Sequence, residues 1–330
     1  FCKFSLNSRS FLFFGASSCT HLSKPFQKFS LVTPVSGKSS LLTKSNNLEA
    51  IDSWPSKIYF FAIFQYIIYI EKMKSYLEFE RDIKVLEEEL EKLKDPFKKD
   101  GLTEVETDKI TQIQAEIDDK LKTSYANLNE WQKTQVARHE ERPKAKFFIE
   151  NLFKNFINIS GDRHFSEDEA VLAGFAEFEG RSVLILGQEK GEDLDSRLKR
   201  NFGMMRPEGY RKCVRLMKLA NKFNIPVISL VDTPGAYPGI GAEQRGQAEA
   251  IASSIECCMS LEVPIISVII GEGGSGGAIA LASANKVLMF ENAIYSVISP
   301  EGCASILWRD PSKSLEAAKA MKLTANELLK

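Results

Sequence analysis

The chain has 330 residues, 44% of them hydrophobic and 26% charged, enough for one large or two ordinary globular domains. A net charge of −1 excludes a global electrostatic case for a nucleic-acid partner. Cys2, Cys19, Cys213, Cys257, Cys258 and Cys303 form no Cys-x-x-Cys pair, so a reducing compartment and no structural metal are expected.

Residues 1–72 differ from the rest of the chain. They hold three acidic residues (Glu49, Asp52, Glu71) against eight basic ones, with many Ser and Phe, and the first methionine of the chain is Met73. An acidic-poor, Ser-rich composition partly fits an organelle transit peptide. The apolar run at 58–70 has thirteen residues, short of the roughly 20 that span a bilayer, which leaves interfacial attachment as the membrane alternative. Translated upstream sequence, with the protein proper starting at Met73, is the reading carried forward. Residues 1–72 are therefore set aside as a disordered leader.

From Tyr76 the pattern turns helical. Ile83, Leu86, Leu90 and Leu93 step by three, four and three, with Glu and Lys on the other faces. Asp95-Pro96 breaks this helix, and Thr103 with Glu106 reads as a capping box opening a second. The second stripe is Ile110, Ile113, Ile117 and Leu121. Two such helices joined by a short turn make an antiparallel hairpin, packed on its own domain or serving as a subunit-contact arm. A third helical stretch carries Trp131 and ends near Arg142-Pro143. The spacing then predicts strands over 182–187, 226–231, 263–270 and 286–290, with helices over 207–223, 242–261 and 277–284. Nearly continuous apolar strands between helices indicate an α/β domain whose sheet is covered on both faces.

The run Gly-Glu-Gly-Gly-Ser-Gly-Gly at 271–277 carries the most chemistry. Five glycines in seven positions, after a buried strand and before a helix, leave backbone N–H groups free to hold negative charge. Gly271, Gly273 and Gly276 match the dinucleotide fingerprint, with Glu291 twenty residues on, so a nicotinamide-binding protein is the rival. The nine-residue crossover and the late position in the chain weigh against it. No Lys-Ser/Thr pair follows, which excludes a Walker phosphate loop. A nucleophile elbow is not expected either, because Ser275 has no His nearby in sequence.

One strand and helix earlier, Asp-Thr-Pro-Gly-Ala-Tyr-Pro-Gly-Ile-Gly at 232–241 leaves another buried strand, so both loops are expected to line one crevice. Its Pro and Gly residues suit a rigid connector, while Tyr237 offers an aromatic face to a ligand. Neither loop holds His or Cys. N–H donors with little acid–base equipment suit a reaction whose negative charge develops on a carbonyl oxygen. Residues 190–218 bring nine basic side chains against four acidic ones, either a solvated face or an anion site.

Six segments now go beyond generic chemistry: Arg-Asn-Phe-Gly-Met at 200–204, Pro-Glu-Gly-Tyr-Arg-Lys at 207–212, Asp-Thr-Pro-Gly-Ala-Tyr-Pro-Gly at 232–239, Gly-Ala-Glu-Gln-Arg-Gly-Gln at 241–247, the glycine run, and Ile-Ser-Pro-Glu-Gly-Cys-Ala-Ser-Ile-Leu-Trp at 298–308. In this order they resemble the α subunit of the acetyl-coenzyme A carboxylase carboxyltransferase of bacteria and plastids, from about Tyr76 to Lys330. The Tyr-Pro-Gly and Ser-Pro-Glu-Gly-Cys forms look more like the bacterial version.

The resemblance implies a crotonase-like (ClpP/crotonase) α/β fold of repeated ββα units. It divides the chain into the leader at 1–72, the contact hairpin at 73–130 and a C-terminally truncated carboxyltransferase domain at 131–330. The implied reaction moves a carboxyl group from carboxybiotin, borne by the biotin carboxyl carrier protein, to acetyl-CoA, giving malonyl-CoA for fatty-acid synthesis. It implies the Gly276 and Gly277 N–H groups as the oxyanion hole for the biotin ureido oxygen, with decarboxylated biotin serving as its own base. Gly273, Gly274, Ser275, Tyr237, Pro238, Gly239, Gln244 and Arg245 would contact substrate. A β subunit bearing a zinc ribbon would supply the second hole in an α2β2 assembly, beside a biotin carboxylase, with no metal on this chain. The expected location is a bacterial-type cytoplasm, or the plastid stroma if residues 1–72 are a transit peptide. Another biotin-dependent acyl-CoA carboxyltransferase, a crotonase-type acyl-CoA enzyme and a non-enzymatic scaffold remain alternatives. The family usually shows Gly-His-Gln-Lys-Gly-Arg where this chain has Gly-Gln-Glu-Lys-Gly-Glu at 187–192, so ligand roles for Gln188 and Glu192 are not carried over.

Overall fold

The computed structural model describes residues 75–94 and 107–329, together with Phe29–Ser30 and Trp54. The apolar run at 58–70, the Asp95-Pro96 break and the Thr103 capping box lie outside the described residues.

Helices α1 (Arg81–Lys94) and α2 (Thr107–Ala126) form the expected hairpin. Ile83 and Leu90 from α1 meet Ile113, Ile117 and Leu121 from α2 in a cluster of their own, separate from the main core. Glu80, just before α1, accepts a hydrogen bond from Tyr125 near the end of α2, and Lys109 pairs with Glu89, so the helices run antiparallel. Each apolar stripe is the other's cover. Helix α3 (Glu130–Ala137) follows, its start fixed by Asn129 and Gln132 capping each other's backbone N–H. It ends sooner than expected, and α4 (Ala145–Leu152) begins after Pro143.

One sheet organises the rest, in the order β1 (Phe29–Ser30), β7 (Lys286–Phe290), β6 (Ile265–Gly274), β5 (Val227–Thr233), β4 (Arg181–Gln188), β3 (Val171–Phe178), β2 (Lys154–Asn158). Strands β4 through β7 pair in parallel, and β2–β3–β4 is an antiparallel meander. Two points of residues 1–72, which the sequence sets aside whole, meet this domain. Phe29–Ser30 pairs with β7, and Trp54 is buried edge-on against Phe178 with ring centroids 5.3 Å apart.

Helix α5 (Leu194–Lys199) and α6 (Pro207–Lys222) lead into β5; α7 (Ile240–Gln244) and α8 (Gln247–Ser260) lead into β6. The sequence predicts one helix over 242–261. Gly246 at φ 78° divides it, because a left-handed residue cannot continue a right-handed helix. Helix α9 (Ser275–Ala282) joins β6 to β7. Side chains alternate across a strand, so Gly187 of β4 faces Ala145 of α4 while Gln188 beside it faces Met205 and α9. The sheet is covered on both faces, as its apolar strands require.

The larger departure is at β6. The sequence ends that strand at residue 270, but it runs to Gly274, fully buried throughout. Its first half borders β7, and its glycine half borders β8 (Ile294–Ser296), with Gly273 opposite Tyr295. Beyond β8 lie α10 (Pro300–Trp308), α11 (Ser314–Met321) and α12 (Ala325–Leu328). Ile294 also bridges to Thr324, and the Tyr295 N–H donates to Leu323. Mixed α/β architecture is as the sequence predicts.

Because the hairpin core is separate, Ile117→Ala should loosen the hairpin alone. Ile117 is 1% exposed, and such truncations cost about 2–5 kcal/mol. Hydrogen exchange should accelerate in α1 and α2 and stay unchanged in β4–β6.

Candidate functional site

Parallel pairing of β5 with β6 brings both loops out at the same end of the sheet, with Thr233 in register with Gly273. The loop after β5 is held by Thr233, whose Oγ1 donates to the Gly235 carbonyl at 2.7 Å and accepts the Gly235 N–H. It lies directly against the glycine run. A Cβ on Gly274 would come within 2.2 Å of the Pro234 carbonyl oxygen, and one on Gly277 within 2.6 Å of the Gly235 carbonyl carbon. No side chain fits at either position.

Gly276 is different. A Cβ there would find only Ile251 at 3.6 Å, an ordinary contact, and the residue is partly exposed. It stands in the first turn of α9, where no side chain caps the helix and the leading N–H groups have no intrahelical acceptor. The helix start therefore presents positive potential beside Gly276. Ser275 adopts φ 53° at this turn. Residues 273–277 carry Gly-x-Ser-x-Gly spacing and the sharp bend of a nucleophile elbow, which corrects the expectation that none is present. Among the described residues no His side chain hydrogen-bonds Ser275.

The dinucleotide alternative loses its geometry here. Gly271 and Gly273 are strand residues, and Gly273 is paired on both sides and pressed by Tyr295, where a dinucleotide loop would need open backbone.

Tyr237 is half-buried. The Arg206 guanidinium stands 4.8 Å above its ring, whose edge occupies the space a Gly239 side chain would fill. Pro238 and Gln244 are exposed. Arg245 turns away from the glycine run to pair with Glu208 and stack on Phe165 at 4.6 Å. The basic stretch at 190–218 is largely engaged by partners. Arg211 pairs with Asp162 at 2.8 Å, and Lys212 is buried against Glu167 and the carbonyls of Asp168 and Val171.

Two features escape the sequence. Gln188, fully buried, donates through Nε2 to the Gly277 carbonyl at 2.9 Å and so holds the first turn of α9. Its place at the carboxyl end of β4 was the available signal. Glu192, by contrast, is exposed and pairs with Lys146 at 3.8 Å. The second feature is an ion network beneath the loops. Lys190 bridges Asp232 at 2.8 Å and Glu272 at 3.4 Å, and Arg138 joins Glu272 to Glu301 at 2.8 and 2.6 Å. The Glu272 N–H donates to Asp232 at 2.9 Å. Burial opposes the charge on Lys190, but the two carboxylates outweigh it and hold its pKa above the ordinary value.

A family model described as acetyl co-enzyme A carboxylase carboxyltransferase-like matches residues 76–330. The chain is 72% identical over 257 residues to the acetyl-coenzyme A carboxylase carboxyl transferase subunit alpha of Pelagibacter ubique (strain HTCC1062), covering 78% of this chain and 70% of that protein. Against the protein of the same name from Zymomonas mobilis subsp. mobilis (strain ATCC 31821 / ZM4 / CP4), identity is 58% over 257 residues, covering 78% and 81%. Among solved structures, transcarboxylase 12S with methylmalonyl-coenzyme A and methylmalonic acid bound aligns at 24% identity and TM-score 0.43, over 48% of this chain and 31% of that one. The chain belongs to the acetyl co-enzyme A carboxylase carboxyltransferase-like family, a family of enzymes.

Lys190→Met would leave Asp232 and Glu272 buried without their shared cation, at a cost of roughly 3–5 kcal/mol. Since the folded-state pKa of Lys190 lies above its ordinary 10.5, its stabilisation is complete below that pH and fades as pH rises through the raised value. Urea denaturation against pH should show an alkaline decline in the parent that is missing from the variant.

Proposed function

We propose that this chain is the α half of a biotin-dependent carboxyltransferase, moving a carboxyl group from carboxybiotin to acetyl-CoA to give malonyl-CoA for fatty-acid synthesis. Family membership and the names of its relatives support the reaction. The observation that carries the site is the open, uncapped helix start at Gly276, set between two loops packed backbone on backbone. Carboxybiotin, borne on a separate carrier protein, would supply the activated carboxyl group. The N–H groups of Gly276 and Gly277 would hold its ureido oxygen, fixed dipoles of this kind being worth about 3–4 kcal/mol per donor. Gly273, Gly274 and Ser275 shape the wall, Gln188 steadies the helix turn, and Tyr237 with Pro238 and Gly239 forms the opposing rim.

The thioester of acetyl-CoA is held by a β subunit carrying the zinc ribbon, in an α2β2 assembly served by biotin carboxyl carrier protein and biotin carboxylase. Residues 73–130 form the partner-contact hairpin and residues 131–330 the catalytic domain, of crotonase type. The bacterial origin of the relatives supports a bacterial-type cytoplasm as the place of reaction.

The two oxyanion glycines are unequal as tests. Gly277→Val collides with the Gly235–Ala236 backbone and should compromise the fold, whereas Gly276→Val has space. In the reconstituted α–β pair, Gly276→Val should preserve assembly and lower malonyl-CoA decarboxylation by at least about a hundredfold. Near-normal turnover with intact assembly refutes the oxyanion assignment. Gln188→Leu should lower kcat about tenfold with KM unchanged, because it loosens the turn without touching bound substrate.

A further inference from the structure

The rim opposite the glycine turn is fastened at its base by Thr233, but Tyr237 lies beyond that tie. Between Ala236 and Gln247 only Ala242 and Gln247 are buried, so packing alone does not hold the loop in place. We propose that Gln247 is a positioning residue for the reaction, an amide clamp that fixes Tyr237 at the crevice and so sets the fit of biotin. The inference rests on the carboxyl-transfer reading.

Gln247 opens α8, directly after the left-handed turn at Gly246. Its Nε2 donates to the Met205 carbonyl at 2.8 Å and to the Tyr237 carbonyl at 3.1 Å. Both amide protons are thereby used. The Tyr237 N–H donates to the same Met205 carbonyl at 3.1 Å, which closes a ring through Met205, Gln247 and Tyr237. With its N–H and its carbonyl both committed, Tyr237 has the planar peptides on either side of its Cα held, and with them the direction of its ring. Among the described residues no other side chain hydrogen-bonds the backbone of residues 236–244.

Met205 carries the clamp across the site. It is fully buried, and its Sδ lies 3.3 Å from Nε2 of Gln188, the amide that holds the Gly277 carbonyl at 2.9 Å. The two rims of the crevice are thus joined through Gly277, Gln188, Met205 and Tyr237, with Gln247 closing the chain. The next residue, Arg206, sets its guanidinium 4.8 Å over the Tyr237 ring and ties Nη2 to Asn201 at 3.1 Å. The segment that anchors the Tyr237 backbone therefore also covers its ring. The two amides act on different partners. Gln188 steadies the N–H groups that face the reacting oxygen, whereas Gln247 acts on the rim, which meets bound biotin away from that oxygen. Loss of the first falls on kcat, and loss of the second on KM.

The test uses the reconstituted α–β pair, with free biotin as the carboxyl acceptor from malonyl-CoA. Gln247→Met keeps the length of the side chain and removes both donors. It should raise KM for biotin about tenfold, with kcat and KM for malonyl-CoA changed less than about twofold. Gln247→His retains one donor and should fall between the parent and the methionine variant; it also serves should the first variant fail to fold. An unchanged biotin KM in a folded, assembled variant overturns the clamp. So do equal rises in both KM values, or loss of assembly in both variants, which mark Gln247 as structural alone. Gly276→Val, assayed in parallel, tells the two failures apart. Low turnover there with a normal biotin KM in Gln247→Met sinks the clamp alone, and near-normal turnover there sinks the carboxyl-transfer site itself.

Discussion

The site depends on one close approach, the backbone of the loop after β5 lying against the glycine half of β6 and the start of α9. Pro234 and Gly235 come so near Gly274 and Gly277 that a methyl group at either position would penetrate the opposing chain. This contact sets the loop's height above the sheet and the direction in which α9 leaves it. Free N–H groups at a helix start are common. What this packing adds is a rigid neighbour that keeps them aimed without flexible side chains. Thr233 and Gln188 secure the two flanks, one tying the loop to its strand and the other tying α9 to β4.

Below this contact the molecule manages charge at close quarters. Asp232 serves two masters, accepting the Glu272 N–H and pairing with Lys190. The carboxyl ends of β5 and β6 are thereby locked through polar atoms as well as strand pairing. An arrangement of this kind tolerates acid and base groups close to a reaction site because each is already paired.

Much of the sheet was legible because its parallel strands are apolar runs of a length that only a buried strand explains. The hairpin was legible for a similar reason, its stripes matching residue for residue. What remained hidden rested on distant partners. Glycine has little strand propensity, so nothing local says that residues 271–274 continue β6; their pairing with β8 does. Likewise, sequence cannot separate a glycine required by packing from one that leaves open space. Gly274 and Gly277 belong to the first kind and Gly276 to the second. Gln188 stood out in the sequence by its place at the end of β4 and by its departure from a family pattern, but its partner, 89 residues away, did not. Residue spacing also hid the fate of the basic stretch, most of which meets carboxylates and carbonyls from earlier in the chain.

The change of neighbour along β6 has a consequence for the order in which the molecule organises itself. The Val227–Ile269 region of the sheet can zip from apolar strands alone, but Glu272–Gly274 acquire their second edge only when β8 docks. That strand is in turn anchored by Leu323 and Thr324, some thirty residues further on. The glycine half of β6 therefore belongs to a later cooperative unit than the strand it extends. In a chain emerging from the ribosome, the apolar strands β3 to β7 would be paired before the glycine corner had a floor.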